Sequence, residues 1–236
     1  MTEKLFGAEV FSEAVEIIRT QFPPAIWETV YVTLLATAFA IVLGLPLGVL
    51  LVTGEKNGIR PLPAWLMRTL NVVVNLLRSI PFLILMVLVF PLTRLIVGTV
   101  VGTMASVVPL VIAAFPFVAR LVESSLREVN PNTVEMAQSL GATPSQIVWR
   151  VMIPESVPSL ISNATIAVTT ILGYSAMSGI IGGGGLGKLA MNYGYYRYKY
   201  LIMLAAVVLL ILLVQLFQSV GTHLAARADK RLKNRG

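Results

Sequence analysis

Long apolar stretches alternate along this chain with short polar ones. Five are long enough to cross a hydrocarbon core of about 30 Å, which takes about 20 residues of helix. They cover residues 27–52, 70–92, 104–122, 157–181 and 201–220. The first and last are uninterrupted. The second contains Arg78 and Pro81, the third Pro109 and Pro116, and the fourth is rich in Ser, Thr, Asn and Gly. The pattern predicts an all-α integral membrane protein with five transmembrane helices in a domain over 27–220.

The interruptions carry information. A proline removes the hydrogen bond to the carbonyl four residues back, so Pro81, Pro109 and Pro116 release the carbonyls of Leu77, Ala105 and Ile112. Such groups need protein neighbours or water instead of lipid. Arg78 either carries a charge into the membrane domain or snorkels to its boundary. In the fourth stretch Ser162, Thr165, Thr169 and Gly173 share one helical face. That face serves packing inside one subunit, or else a dimer contact or a pore lining.

Residues 1–26 show Val10, Ala14, Ile17, Ile18 and Phe22 at helical spacing, with Glu9, Glu13 and Glu16 elsewhere. They read as an amphipathic segment on the membrane surface or on a neighbouring segment, or as an extension without function. They lack the basic head, apolar run and small-residue cleavage site of a signal peptide.

Between the third and fourth stretches the pattern turns soluble. Asn130 is a helix cap with Pro131 at the first helical position. Gly141 follows Leu140 as a helix stop. Thr143 caps a second helix, Pro144 opens it, and Gln146 completes a Thr-x-x-Gln capping box. Pro154 is expected to stop it. The module over 131–153 is thus two short helices with a sharp corner, too short to be stable alone in water. The second offers Ile147, Val148, Val151 and Met152 for packing. The first is expected to expose Val134, Ala137 and Gly141, a small-residue face. The module is either a well-capped loop or a docking element.

Composition narrows the class. Apolar residues are 56% of the 236 and charged residues 12%, against about 25% charged in soluble proteins. Absence of cysteine and a single histidine, His223, exclude disulfides, thiolate chemistry and multi-histidine metal sites. Net charge is +7, and its placement suggests topology more than nucleic acid. Lys56, Arg60, Arg68, Arg120, Arg127, Arg150 and the tail over 221–236 (Arg227, Lys230, Arg231, Lys233, Arg235) lie on one side. Lys4, Arg19, Arg94, Lys188, Arg197 and Lys199 lie on the other. The richer side is expected in the cytoplasm, with the amino end outside.

Other motifs weaken on inspection. Gly182 to Lys188 fits the start of a phosphate-binding loop but lacks the following Ser or Thr and follows a span instead of a strand. A flexible, closely packed turn is the better reading. Asn163-Ala164-Thr165 matches a glycosylation acceptor inside a span. Tyr193 to Tyr200 mixes aromatics and cations beside the last span, as an interfacial belt would. Glu28, Glu123, Glu135 and Glu155 stand at no spacing that suggests acid–base chemistry, so no enzyme activity is expected.

Glu135-Met136-Ala137, three residues, Gly141, nine residues, then Val151-Met152-Ile153-Pro154 resembles the EAA-loop signature of binding-protein-dependent ABC importer permeases. That signature reads E-A-A, x3, G, x9, I-x-L-P; here Met136, Val151 and Ile153 depart conservatively. "RSIPF" (78–82), "VVPL" (107–110), "FPFVAR" (115–120), "GATPSQIV" (141–148) and "GYSAMSG" (173–179) are similar to the methionine-uptake permeases within that family. The resemblance covers nearly the whole chain. It implies the type I importer permease fold, with the module as a cytoplasmic coupling-helix pair in a bacterial inner membrane.

What it further implies is a homodimer in membrane lipid with two copies of an ATPase subunit, which holds the ATP and Mg; this chain carries no cofactor. A substrate-binding protein, a lipoprotein in that family, would deliver methionine. Glu135, Ala137, Gly141, Ala142 and Pro144 are the expected ATPase-coupling residues. Tyr174, Ser175, Met177, Ser178, Arg78 and Ser79 are expected to line the path or gate. Two other readings stay open: a permease of the same class for another amino acid or small solute, and an ion-driven secondary transporter.

Overall fold

A computed structural model describes residues 8–229, and all regular structure among them is helical. Helix α1 runs from Ala8 to Thr53, α2 from Ala64 to Ser79, α3 from Phe82 to Leu88 and α4 from Phe90 to Val97. Helix α5 covers Thr103–Arg127 and α6 Pro131–Ser139. A short α7, Pro144–Ile147, passes through a π-helical turn, Val148–Met152, into α8, Ile153–Ser178. After a 3₁₀ turn come α9, Gly185–Leu189, a second π turn, Ala190–Tyr195, and α10, Tyr200–Ala228.

Four helical runs are long and apolar enough to cross a membrane, and the bent pair α2–α3 supplies a fifth crossing if counted as one span. The bend is 107°. Its cause is local. The residue before a proline is driven out of the helical region, and Ile80 sits at φ −78°, ψ 126°. Pro109 and Pro116, by contrast, leave α5 unbroken.

Pro154 does not end the second helix of the module, contrary to the sequence expectation. The chain winds on from Pro144 to Ile181 as one span. The Ile153 N–H donates to the Val148 carbonyl, five residues back. This wider turn lets the helix pass a residue that cannot donate to the carbonyl four back.

The expected boundary at 26/27 is also absent: α1 is one helix of 46 residues. At 1.5 Å per residue it is roughly 69 Å long, so it extends beyond any bilayer core. Among the expected amphipathic positions, Ala14 and Phe22 are buried with Leu186, Leu189, Ile202 and Ala206, and Ile17 and Ile18 pack beside them. That face lies on neighbouring helices. Val10 lies outside the described side chains. The basic tail is helical through Ala228, and Lys230, Arg231, Lys233 and Arg235 fall outside the described residues.

The described residues form two compact units, one of residues 8–37, 81–111 and 168–217, the other of 38–80, 112–167 and 218–229. Helix contacts in the second unit are close. A Cβ on Gly48 would meet the Ala119 carbonyl oxygen at 2.6 Å, and one on Gly221 would meet Thr165 Oγ1 at 1.9 Å. Small residues allow such approach in membranes, where packing drives association. Thr165 therefore serves packing within this chain.

Candidate coupling module and gate

The module's caps form as their sequence dictates. The Asn130 side chain accepts from the Asn132 N–H at 3.0 Å. The Gln146 N–H donates to Thr143 Oγ1, and the Thr143 N–H donates to Gln146 Oε1 at 2.9 Å, completing the capping box. At the corner, the Gly141 N–H reaches the Gln138 carbonyl and the Ala142 N–H the Ala137 carbonyl, at 2.9 and 3.1 Å. These two bonds are a Schellman motif, which requires a left-handed residue just past the helix end. Gly141 has φ +79°.

Burial corrects which face is free. Ala137 is buried and Val134 half-buried, so the first helix does not present them to a partner. It presents Met136, 61% exposed, and Leu140, 82% exposed, with Glu135 and Gly141 also exposed. Pro144 is exposed and Ala142 half-buried. The expected packing face of the second helix holds: Ile147, Val148 and Met152 are buried.

A polar network underlies the module within the same unit, and no sequence motif had flagged it as a unit. Arg120 donates to Glu123 at 2.6 Å, to Asn71 at 2.7 Å and to Asn75 at 3.0 Å. Arg127 donates to Glu123 at 2.7 Å and to both carboxylate oxygens of Glu55 at 2.5 and 3.1 Å. Hydrogen bonding from Arg127 holds the Glu55 carboxyl below the usual carboxylate value, against a smaller opposing effect of burial. Asn163, in the discarded glycosylation match, donates to Ser125 Oγ and to the Leu121 carbonyl at 2.8 and 3.1 Å. The only legible signal was the 3- and 4-residue spacing of Arg120, Glu123 and Arg127.

The gate candidates divide. The Tyr174 ring stacks on Phe82, centroids 4.7 Å apart and planes 4° apart. Phe82 opens α3 directly after the proline break. Met177 is 46% exposed, and Gly173 on the same face is exposed too. Ser175 and Ser178 are buried and turn inward, a correction to their expected place on the path. Ser175 donates to the Leu172 carbonyl and Ser178 to the Ser175 carbonyl, the usual way a hydroxyl is satisfied within its own helix. Arg78 is exposed in the last turn of α2, and Ser79 donates to the Asn75 carbonyl at 2.8 Å.

The glycine run after α8 is closed to phosphate. The Gly185 N–H donates to Glu28 Oε2 at 2.7 Å and the Leu186 N–H to Thr29 Oγ1 at 2.9 Å. The amides that would cradle an anion are held by a carboxylate and a hydroxyl of α1.

Residues 40–230 match the family described as binding-protein-dependent transport system inner membrane component. This chain belongs to that family. It is a multi-pass inner membrane permease. A probable D-methionine transport system permease protein MetI of Vibrio cholerae serotype O1 is 52% identical over 208 residues, 88% of this chain and 92% of that protein. The D-methionine transport system permease protein MetI of Escherichia coli K12 is 47% identical over 154 residues, 65% of this chain and 70% of its own. Among solved structures, an inward-facing MetNI methionine ABC transporter has a TM-score of 0.89 at 42% identity, covering 91% of this chain and 99% of that one. An amino acid ABC transporter at 18% identity has a TM-score of 0.74 and shares the fold.

Proposed function

We propose that this permease is the membrane subunit of an ATP-driven importer for methionine, the substrate class named in its MetI relatives. The observation that carries this is the module over 131–153. It is rigid by construction, capped at both helix starts and locked at the corner by Gly141, yet leaves Met136 and Leu140 uncovered. An apolar pair that large at the apex of a short capped helix suits the cleft of a separate protein.

The ATPase partner closes on ATP and displaces the module. The capped helices transmit that displacement as rigid bodies, α7 being continuous through its π turn with the α8 span. The dimer then alternates between inward- and outward-open states, with Tyr174, Phe82 and Met177 at the gate. ATP drives the exchange by binding the two states unequally. ATP and Mg belong to the partner. A substrate-binding protein delivers methionine from outside, and the module faces the cytoplasm with the carboxyl end.

Co-purification tests the partner assignment. The chain should retain an ABC ATPase co-expressed with it, and Leu140→Asp should release it. A chain that transports methionine alone in proteoliposomes under an ion gradient would instead be a secondary transporter.

A further inference from the structure

A groove of about 340 Å³ lies in the same unit between the end of α1 (Pro46, Val49, Leu50), Arg60 of the following loop and the second helix of the module (Val148, Trp149), and its edge includes Pro144, which is also an expected ATPase contact. We propose that it seats one anionic phospholipid, with acyl chain in the groove and headgroup phosphate on Arg60.

Three observations converge. First, the groove follows the membrane helix. Pro46, Val49, Leu50 and Thr53 recur on one face of α1 over seven residues, roughly 10 Å of axis. Second, its mouth has the chemistry of a membrane boundary. Trp149 is 63% exposed, and tryptophan favours the headgroup level. Arg60 is exposed, and its guanidinium makes no ion pair or hydrogen bond among the described residues. Glu55, the neighbouring carboxylate, is committed to Arg127. Third, the rim is fixed. The Arg60 N–H donates to the Thr53 carbonyl at 3.0 Å and the Leu62 N–H to the Gly54 carbonyl at 2.9 Å, folding the loop back onto the end of α1. An unpaired guanidinium held over an apolar groove at a helix end matches a phosphate with a hydrocarbon tail.

The site rests on the reading that the module side of the membrane is cytoplasmic only for which leaflet supplies the lipid. Its lipid readout needs no ATPase, and ATPase retention is scored separately. The full-length chain is taken from nanodiscs of equal phosphatidylglycerol and phosphatidylcholine, and retained lipid is counted by native mass spectrometry. Wild type should retain phosphatidylglycerol about fivefold over phosphatidylcholine, the factor that roughly 1 kcal/mol per surface cation amounts to. Arg60→Ala should erase the preference, and Arg60→Gln should do the same if the alanine variant folds poorly. Arg68→Ala, at an exposed arginine outside the groove, should leave it intact. Leu50→Trp, which fills the groove, should lower retention of both lipids. An unchanged ratio in both Arg60 variants, no preference in wild type, or unchanged retention in Leu50→Trp would overturn the site. ATPase lost from Arg60→Ala with the lipid ratio unchanged would assign the groove to the protein partner and overturn it too. A wild type that retains lipid but binds no ATPase would sink the transport reading and leave the lipid site standing.

Discussion

Arg127 grips Glu55 through two hydrogen bonds, although 72 residues separate them. The pair ties the loop after α1 to the end of α5, one turn before the coupling module begins. Because both side chains are 45% exposed, its worth is modest and sensitive to solution conditions.

That exposure makes pH the first test. Glu55 has a depressed pKa in the folded chain, caused mainly by Arg127. A depressed carboxylate stabilises the fold above its unfolded value, about 4.3, and that contribution is lost as pH falls through the folded value. Melting of wild type should therefore exceed that of Glu55→Gln by a constant margin above about pH 5. The margin should shrink steadily in more acidic buffer. A margin that grows on acidification contradicts the assignment.

Glu123 answers to two guanidiniums from a buried position. Removing it takes one acceptor from Arg120, which keeps Asn71 and Asn75, and one from the half-exposed Arg127, which keeps Glu55. The loss should therefore be that of charged hydrogen bonds, about 1–3 kcal/mol. Thermal unfolding of Glu123→Ala in detergent should show a loss of that order. The double variant Glu123→Leu with Arg120→Met should lose less than the two single changes summed, since both changes remove the same bond.

Gly141 is tested by backbone preference. A residue with a Cβ in the left-handed region costs about 1–2 kcal/mol, least for Asn. No atom stands within 4 Å of a Cβ built there, so strain alone is at issue inside this chain. Gly141→Asn should keep the corner, and Gly141→Val should distort it. Gly141→Asp adds charge at the proposed partner contact. ATPase retained on purification should fall in the order Asn, Val, Asp; equal retention by all three would remove Gly141 from the contact.

Glu28 holds the turn that follows the gate helix. Glu28→Ala strips the Gly185 amide of its acceptor, a loss of about 1–3 kcal/mol for a group away from water. Glu28→Gln keeps an acceptor oxygen and should be milder. Equal melting temperatures for the two variants would show that the bond contributes nothing.

The spans and caps were legible because their causes are local. Apolar length decides a membrane crossing, and Asn130, Thr143 and Gln146 satisfy amides two or three residues away. The break at Ile80 was legible because a proline constrains its neighbour. Other features depend on partners far along the chain. Nothing in 131–139 reveals that Ala137 turns inward and Leu140 outward, because a nine-residue helix takes its orientation from what it packs on. Ser175 and Ser178 looked like a polar path, but each hydroxyl found a carbonyl in its own helix. Pro154 looked like a stop, and the π turn before it removed the conflict. Glu28 gave no sign of its role, since the amides it serves lie 157 residues later.

The central claim is that this chain passes methionine through the membrane at the expense of ATP hydrolysed by a partner. The direct measurement is uptake of radiolabelled methionine into proteoliposomes holding the chain, its ATPase and its loaded binding protein. Uptake should require ATP inside the reach of the ATPase and should fall to background with Leu140→Asp. Uptake that persists without ATP, or transport of another solute while methionine stays outside, would contradict the account.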